Sequence, residues 1–377
     1  GGKAARHERK GEKNMKKLLA IMSAMLMVVS LLAGCGGAPA SGSGAGTSSG
    51  GYELALVTDI GTIDDKSFNE GSYNGVKEFA AATGAKYDYF RPSEDTTASR
   101  VETMETAIAK GANVVVCPGY LFGEAFQQAP QDHPDVLFLG IDMTADDMGG
   151  QEIPANVVLV SYEEAQSGYL AGYAVVKEGY TKLGFTGGGG GTNPACCRYG
   201  YGFVQGADAA AKELGVKVDM NYSWQYGASF SASPELQTMV SGWYEAGTEV
   251  VFACGGSMFA SVAAAAGAAD GKVVGVDVDQ STESDTVITS AMKGLADSVQ
   301  WALGKFYSNE FASIGGVGTS LGANENAVGL PTATWSLTKW TVDGYNTMLK
   351  DIVDGKITID SDYNNLKSTD NVTLNII

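Results

Sequence analysis

Aspartates stand at the ends of three apolar runs in this 377-residue sequence. Asp59 follows LALVT, Asp142 ends FLGID, and Asp277 follows VVGV. A carboxylate accepts two hydrogen bonds and a sugar diol donates two, so a carboxylate at a strand end suits a hydroxyl-rich ligand. A single aspartate at such a place could equally cap a helix or turn the chain. The repetition at three strand ends favours a ligand site.

Two aromatic side chains could complete such a site. Phe68 and its neighbour Asn69 lie in TDIGTIDDKSFNEG, and Phe230 lies in YGASFSASPE. A flat ring buried between two aromatic faces gains apolar contact and about 0.5–1.5 kcal/mol for each stacked pair. Each aromatic, taken alone, is more often part of a core, and Trp224 or Phe259 could replace Phe230 as the second face. The pattern predicts a site for a flat, polar molecule.

Residue types that usually catalyse reactions or bind metals are scarce. Only two histidines occur, His7 and His133, which argues against a histidine-based triad or metal cage. The adjacent Cys196 and Cys197 could be redox-active or bind a soft metal, but no CxxC or Cys/His spacing supports zinc, and buried structural thiols are the favoured interpretation. No catalytic residue, metal or cofactor is therefore predicted.

Charge and composition limit the partners. The formal net charge is −18, which argues against a nucleic-acid partner because phosphate binding needs a basic surface. Apolar residues make up 44% of the chain, as in ordinary globular proteins. We therefore expect a folded, acidic protein that binds a small molecule.

Glycines mark two loops. The run Gly187–Gly191 matches neither GxxxxGK[ST] nor GxGxxG, so it does not predict a phosphate cradle. Gly255 and Gly256 follow a predicted strand and open a helix, where the bare backbone N–H groups could meet ligand oxygens. A tight turn at the same place remains an alternative.

The stretch that carries Asp59 and Phe68 has the pattern of a strand, a polar loop and a helix. The apolar run LALV predicts a buried strand. Ser67 and Glu70 have the spacing of a capping box, and Gly84 predicts the end of the helix. In an open α/β sheet such loops lie at the carboxyl ends of the strands, where ligands bind.

Strands and helices alternate from residue 52 onward, which predicts parallel sheets with right-handed crossovers. Two such series predict an α/β protein of two doubly wound, Rossmann-like lobes with a ligand cleft between them. We expect residues 291–377 to cross back between the lobes. The predicted strands are 53–58, 86–90, 113–117, 136–142, 157–160, 182–186, 216–222, 249–254, 273–277 and 286–289. The predicted helices are 68–82, 96–110, 120–129, 162–178, 198–214, 233–246, 257–269 and 293–309, followed by a loop at 312–330 and a terminal strand and helix.

Several motifs resemble one family. The segment VTDIGTIDDKSFNEG resembles the signature of the basic membrane protein family of bacterial lipoproteins, which are similar to purine nucleoside-binding proteins of ABC importers. Further likeness occurs in the expected order, at GYLAGYAV (168–175), VVFACGG (250–256), VVGVDVDQ (273–280) and TSAMKG (289–294). The glycine run departs from the family, whose segment there contains fewer glycines.

The resemblance implies a fold, a function and a set of contacts. The fold would be that of type I periplasmic binding proteins, and the protein would capture a nucleoside and present it to ABC permease and ATPase subunits. The base would stack on Phe68 and, by a looser match, on Phe230, while Lys293 would bind the sugar or, alternatively, be a solvated lysine at a helix start. The complete predicted ligand set is Asp59, Phe68, Asn69, Asp142, Phe230, Gly256, Asp277 and Lys293.

The N-terminal region has the pattern of a lipoprotein leader. A positive start at Met15–Lys17, an apolar run and small residues predict a signal peptide within residues 1–34, and residues 1–14 are interpreted as an overextended start. The ending LAGC resembles the bacterial lipobox, which implies lipidation of Cys35 and anchoring to the outer face of the cell membrane. Residues 35–51 would then form the anchor and a Gly/Ser linker.

The predicted domain limits follow from this division. The N-lobe would comprise residues 52–160 and part of 291–330, and the C-lobe would comprise 161–290 and part of 331–377. Three alternatives remain open: a sugar or another polar solute on the same scaffold, a nucleoside hydrolase, and a surface sensor that binds without transport.

Overall fold

The structure is a computed structural model that describes residues 53–377. Residues 1–52, which include the predicted signal peptide, the lipidation site Cys35 and the whole predicted linker, lie outside the described residues. No helix within residues 53–377 is both long enough and apolar enough to cross a membrane.

The first lobe is built on a six-stranded, all-parallel sheet. Its strand order is β11-β5-β4-β3-β1-β2. Because the strands are parallel, their carboxyl ends lie along one edge of the sheet. The strands are β1 (Leu54–Val57), β2 (Tyr87–Phe90), β3 (Val114–Pro118), β4 (Leu137–Ile141), β5 (Val157–Tyr162) and β11 (Val317–Leu321).

The second lobe is built on a seven-stranded sheet in the order β12-β10-β9-β8-β6-β7-β13. All its pairings are parallel except that of β12 with β10. The prediction of two parallel-sheet lobes is therefore confirmed. The strands are β6 (Lys182–Gly187), β7 (Val218–Ser223), β8 (Val250–Cys254), β9 (Lys272–Asp277), β10 (Val287–Lys293), β12 (Val328–Gly329) and β13 (Val372–Ile376).

The chain passes between the two sheets three times, after β5, after β10 and after β11. Helices cover the faces of both sheets. They are α1 (Phe68–Thr83), α2 (Thr97–Ala109), α3 (Gly123–Phe126), α4 (Ala129–Asp132), α5 (Glu164–Lys177), α6 (Pro194–Leu214), α7 (Pro234–Glu245), α8 (Met258–Ala269), α9 (Leu295–Tyr307) and α10 (Val342–Val353).

Helix α1 shows how local sequence produces these elements. It buries Val76, Phe79 and Ala80, which recur at helical spacing. It ends where Gly84 adopts a left-handed φ of 79° and donates its N–H to the Ala80 carbonyl oxygen at 2.8 Å. The helix therefore begins at the predicted residue, Phe68, and has the buried face and the stop that the sequence predicts.

Three predicted elements were wrong. The predicted helix 120–129 is broken into a 3₁₀ turn, Tyr120–Phe122, and the short helices α3 and α4, because Pro130 lacks the N–H that would continue a helix. The predicted loop 312–330 contains β11 and β12, which pair with distant strands. Lys293 ends strand β10 instead of opening a helix, because β10 stays paired with β9 up to Met292.

Helices α5 and α6 approach each other through glycines. An ideal Cβ built on any of four glycines would lie 1.9–2.1 Å from a carbonyl oxygen of the facing helix. Backbone packing this close leaves no room for a side chain, and it holds the amino-terminal turns of both helices together. The four glycines are Gly168, Gly172, Gly202 and Gly206.

We expect Gly172→Ala to lower the free energy of unfolding by about 1–3 kcal/mol, because the new methyl group meets the Phe203 backbone, which cannot swing aside. Urea or thermal denaturation measures the change. The matched control is Gly242→Ala in α7, where no atom lies within 4 Å of the new Cβ. That control should stabilise by up to about 1 kcal/mol through helix propensity. Equal effects of the two substitutions would contradict the close packing.

Candidate ligand-binding site

A cavity of about 400 Å³ lies between the carboxyl ends of the two sheets. Both lobes contribute to its lining, and Trp224 and Phe259, the alternatives to Phe230, do not line it. All the ligand contacts predicted from the sequence meet here: Asp59, Phe68, Asn69, Asp142, Phe230, Gly256, Asp277 and Lys293. The structure therefore brings the whole set together, and their contact with a ligand stays a prediction.

The Lys293 ammonium group is the centre of a buried charge cluster. Its Nζ lies 2.5 Å from Asp142 Oδ2, 3.4 Å from Asp277 Oδ1 and 3.9 Å from Glu164 Oε1, and only 3% of its side chain is exposed. Burial acts to lower the pKa of Lys293, but the three carboxylates outweigh burial and raise it. The lysine is therefore a charged donor in the cavity wall, and it also lies 4.8 Å from the centroid of the Phe68 ring.

Asp277 joins the two lobes. Its Oδ2 accepts a hydrogen bond of 2.6 Å from the hydroxyl group of Ser67, which precedes α1 in the first lobe. Burial raises the pKa of Asp277, whereas Lys293 and Ser67 act to lower it. The carboxylate is thus held by a hydroxyl donor from one lobe and an ammonium group from its own lobe.

The predicted capping box of Ser67 and Glu70 was wrong. The Ser67 side chain makes no capping hydrogen bond, because its hydroxyl group reaches across to Asp277. Asp65 caps α1 in its place and accepts hydrogen bonds from the backbone N–H groups of Ser67, Asn69 and Glu70 at 2.9–3.1 Å. Because Asp65 supplies the capping acceptor, the Ser67 hydroxyl group is free to hydrogen-bond to Asp277 in the other lobe.

Asp59 and Asn69 form a second polar pair. Asn69 Nδ2 donates to Asp59 Oδ1 at 2.9 Å, and the Gly61 N–H donates to the same oxygen at 2.6 Å. Burial raises the pKa of Asp59 to about 6, although these two hydrogen bonds act to lower it. Both bonds use Oδ1, so Oδ2 is the oxygen left for a ligand.

Backbone strain coincides with the site. Asp142, Phe230 and Asp277 have left-handed φ angles of 58°, 56° and 67°, which are uncommon for residues other than glycine. Such conformations persist where surrounding structure enforces them, and they cluster at ligand sites. Three of the eight predicted contacts are therefore held in positions that their own preferences disfavour.

Arg198 and Tyr199 also line the cavity and were not predicted as contacts. Nε of Arg198 donates to Oε2 of the fully buried Glu164 at 2.6 Å. Burial raises the pKa of Glu164 to about 7, against the attraction of Arg198. The sequence contained a signal for Arg198, because it is the only arginine after residue 100. The predicted helix 198–214, however, began four residues later than α6, so Arg198 was not placed near the cavity.

Buried polar atoms indicate what the cavity would bind. Within residues 53–377, Asp142 Oδ1 and the Tyr199 hydroxyl group are buried and have no hydrogen-bond partner. An unpaired buried polar group costs about 1–3 kcal/mol. Because both residues line the cavity, a ligand that donates a hydrogen bond would satisfy the Asp142 oxygen.

The adjacent cysteines pack against the backbone near the cavity. The Cys196 thiol donates to the Cys254 carbonyl oxygen at 3.5 Å, and the Cys197 thiol donates to the Gly191 carbonyl oxygen at 3.4 Å. Both are free and buried, and burial raises the pKa of Cys197 to about 12. Among residues 53–377, no group of three or more His, Cys, Asp or Glu side chains is arranged to hold a metal ion.

Comparison with known families gives the site its context. Residues 52–362 match the model of the Bmp family, described as ABC transporter substrate-binding protein PnrA-like. This chain belongs to the Bmp family. It is thus a substrate-binding protein of an ABC transporter, the component that binds a small molecule and delivers it to the permease and ATPase, and the predicted family is confirmed.

Relatives and solved structures agree with this assignment. The chain is 27% identical over 369 residues to the ABC transporter nucleoside-binding protein BmpA of Lactococcus lactis, covering 92% of this chain and 99% of that protein. It is 31% identical to basic membrane protein A of Borreliella burgdorferi, covering 74% and 78%. A solute-binding protein of Aeropyrum pernix shares the fold with a TM-score of 0.69 at 20% identity, covering 82% and 93%. The fold is that of type I periplasmic binding proteins, as predicted.

We expect Asp59→Asn to stabilise the ligand-free protein by about 1–3 kcal/mol at pH 8. The raised pKa means that burial disfavours the ionised carboxylate, so wild-type Asp59 opposes folding above pH 6 and this penalty disappears as pH falls towards 4. Asn keeps an acceptor for Asn69 and Gly61. Thermal denaturation between pH 4 and 8 measures the difference.

The control for this substitution is Asp270→Asn at the exposed end of α8, where Asn tolerates the left-handed φ of 53°. That variant should change the free energy of unfolding by less than about 0.5 kcal/mol, because its side chain is exposed to solvent. A gain for Asp59→Asn that is equal at pH 4 and pH 8 would contradict the raised pKa.

Proposed function

We propose that this Bmp-family protein captures a purine nucleoside in the cleft between its lobes and delivers it to an ABC importer. One observation carries the proposal: two aromatic side chains and a set of carboxylates from opposite lobes line a single cavity of about 400 Å³. This volume is within the range of small-molecule sites, about 300–1,000 Å³. The nucleoside-binding name of the L. lactis relative points the same way.

The two ends of a nucleoside differ in chemistry, and so do the linings of the cavity. Phe68 from the first lobe and Phe230 from the second are the faces on which the base would stack. Base–aromatic stacking contributes about 1–3 kcal/mol per base. Asp142 and Asp277 would accept hydrogen bonds from the ribose hydroxyl groups, and Lys293 would donate to a ribose oxygen.

Capture would stabilise the closed arrangement of the lobes. The Lys293–Asp142 and Ser67–Asp277 contacts already join the lobes in this structure. A nucleoside that touches both lobes adds contacts which exist only when the lobes are together, so it shifts the population towards closure. The closed form would be the one presented to the permease.

We also propose that Cys35 carries a lipid and that residues 36–51 tether the binding lobes to the outer face of the membrane. The support is the LAGC ending and the Gly/Ser-rich composition that follows it. The protein would bind its ligand without chemical turnover and without a cofactor.

Isothermal titration with a panel of solutes tests the function. We expect inosine, guanosine or adenosine to bind at least tenfold more tightly than uridine, free ribose or hexoses, because a purine covers the largest stacking area. Mass spectrometry of ligand released from purified protein provides an independent identification. Tighter binding of a hexose would favour a sugar-binding protein, and release of free base from bound nucleoside would favour a hydrolase.

We expect Asp142→Asn to weaken nucleoside binding at least tenfold, because the amide replaces a buried acceptor that lacks a protein partner. The loss should be much smaller for the deoxynucleoside that lacks the hydroxyl group bound by Asp142. Titrations of the wild type and of Asp142→Asn with inosine and with its 2′-deoxy and 3′-deoxy analogues measure this coupling. Equal losses for all three ligands would remove Asp142 from ribose recognition, and Asp270→Asn is the control with no expected effect.

A further inference from the structure

The glycine run Gly187–Gly191, which the proposed function leaves unexplained, packs directly against aromatic rings. An ideal Cβ at Gly188 would lie 2.2 Å from Cδ1 and 2.3 Å from Cε1 of Phe230. One at Gly187 would lie 2.1 Å from Cζ3 of Trp224. The Phe230 ring therefore rests on bare backbone, at a distance that no side chain at position 188 would permit.

This backbone is tied to the second sheet. The Gly188 N–H donates to the Cys254 carbonyl oxygen at the end of β8 at 2.9 Å, and the Gly189 N–H donates to the Gly227 carbonyl oxygen at 3.0 Å. The Phe230 N–H donates to the same Gly227 oxygen at 3.0 Å. The ring and its support are therefore held by one hydrogen-bonded unit, so the support cannot retreat without breaking strand-end contacts.

Phe230 is also confined from another direction. An ideal Cβ at Gly256 would lie 3.1 Å from the Phe230 carbonyl oxygen, and Phe230 itself has a left-handed φ of 56°. A residue held in this conformation has little freedom to adjust its backbone. A group added beneath the ring at Gly188 must therefore displace the ring itself.

We propose that Gly188 is a positioning residue for ligand specificity: its missing side chain sets how far the Phe230 ring stands from the first lobe, and thereby the width of the slot for a flat base. This inference rests on the proposed nucleoside function. Gly188 would act through Phe230 and would not touch the ligand. The glycine run is then a support for an aromatic face and not a phosphate cradle.

Gly188 can be tested without straining the backbone. Its φ of −76° and ψ of 167° are open to any residue, whereas Gly189, Gly190 and Gly191 have positive φ angles of 71°, 59° and 84°. Alanine at position 188 therefore adds a methyl group against the Phe230 ring and little else.

The experiment is a double-mutant cycle with inosine as the probe, using wild type, Gly188→Ala, Phe230→Ala and the double variant. We expect Gly188→Ala to weaken binding at least tenfold in the wild-type background, because the displaced ring narrows the slot. In the Phe230→Ala background the same change should alter affinity less than twofold, because Cγ, Cδ1 and Cε1, the side-chain atoms nearest the new methyl group, are gone. Gly267→Ala in α8, with no atom within 4 Å of the new Cβ, is the matched control.

Each outcome decides a different question. Equal losses from Gly188→Ala in both backgrounds, or no loss in either, would overturn the role of Gly188. A drop in thermal midpoint with additive binding losses would assign Gly188 to general stability instead. Phe68→Ala is included to separate this inference from the proposed function. If wild type binds inosine no more tightly than Phe68→Ala does, the proposed function itself fails. If wild type binds inosine more tightly than Phe68→Ala, and Gly188→Ala has the affinity of wild type, the inference about Gly188 alone fails.

Discussion

The buried ammonium group of Lys293 is the interaction on which the site depends. It lies at the end of β10, where the chain leaves the second sheet, and it contacts Asp142 from the first lobe and Asp277 from the second. Removing one partner of a buried ion pair typically costs 3–5 kcal/mol, about as much as breaking several ordinary hydrogen bonds. The contact between the lobes therefore depends on charged side chains that line the cavity.

The charged groups around Lys293 come together where the chain passes between the two sheets. Glu164 follows β5, where the chain first passes between the sheets, and Lys293 ends β10, just before the second passage. The two passages therefore place Glu164 Oε1 and Lys293 Nζ 3.9 Å apart. Arg198 supplies a further positive charge to Glu164 from α6. The same acidic surroundings that keep Lys293 charged leave acceptor oxygens facing the cavity, which suits a ligand rich in hydroxyl groups.

Glycine has two distinct structural uses in this protein. In α5 and α6 it allows two helix backbones to touch, which sets the positions of Glu164 and Arg198 at the helix starts. In Gly187–Gly191 it allows aromatic rings to rest on backbone. Both uses depend on the absence of a Cβ, and neither could be distinguished from a flexible linker by composition. The close contacts that make them different form only between segments that are distant in sequence.

The sequence by itself determined the alternation of strands and helices, the strand-end aspartates and the stop of α1 at Gly84, because these follow from local periodicity and from turn and C-cap chemistry. It also contained all eight predicted contacts that the structure places around one cavity. Only the tertiary structure decided that the Ser67 hydroxyl group joins the lobes and that part of the predicted loop 312–330 forms β11 and pairs with β5. The same holds for Lys293, which ends a strand, and for Arg198, which lines the cavity. Each of these depends on a partner far along the chain, and the energy of such pairings cannot be read from neighbouring residues.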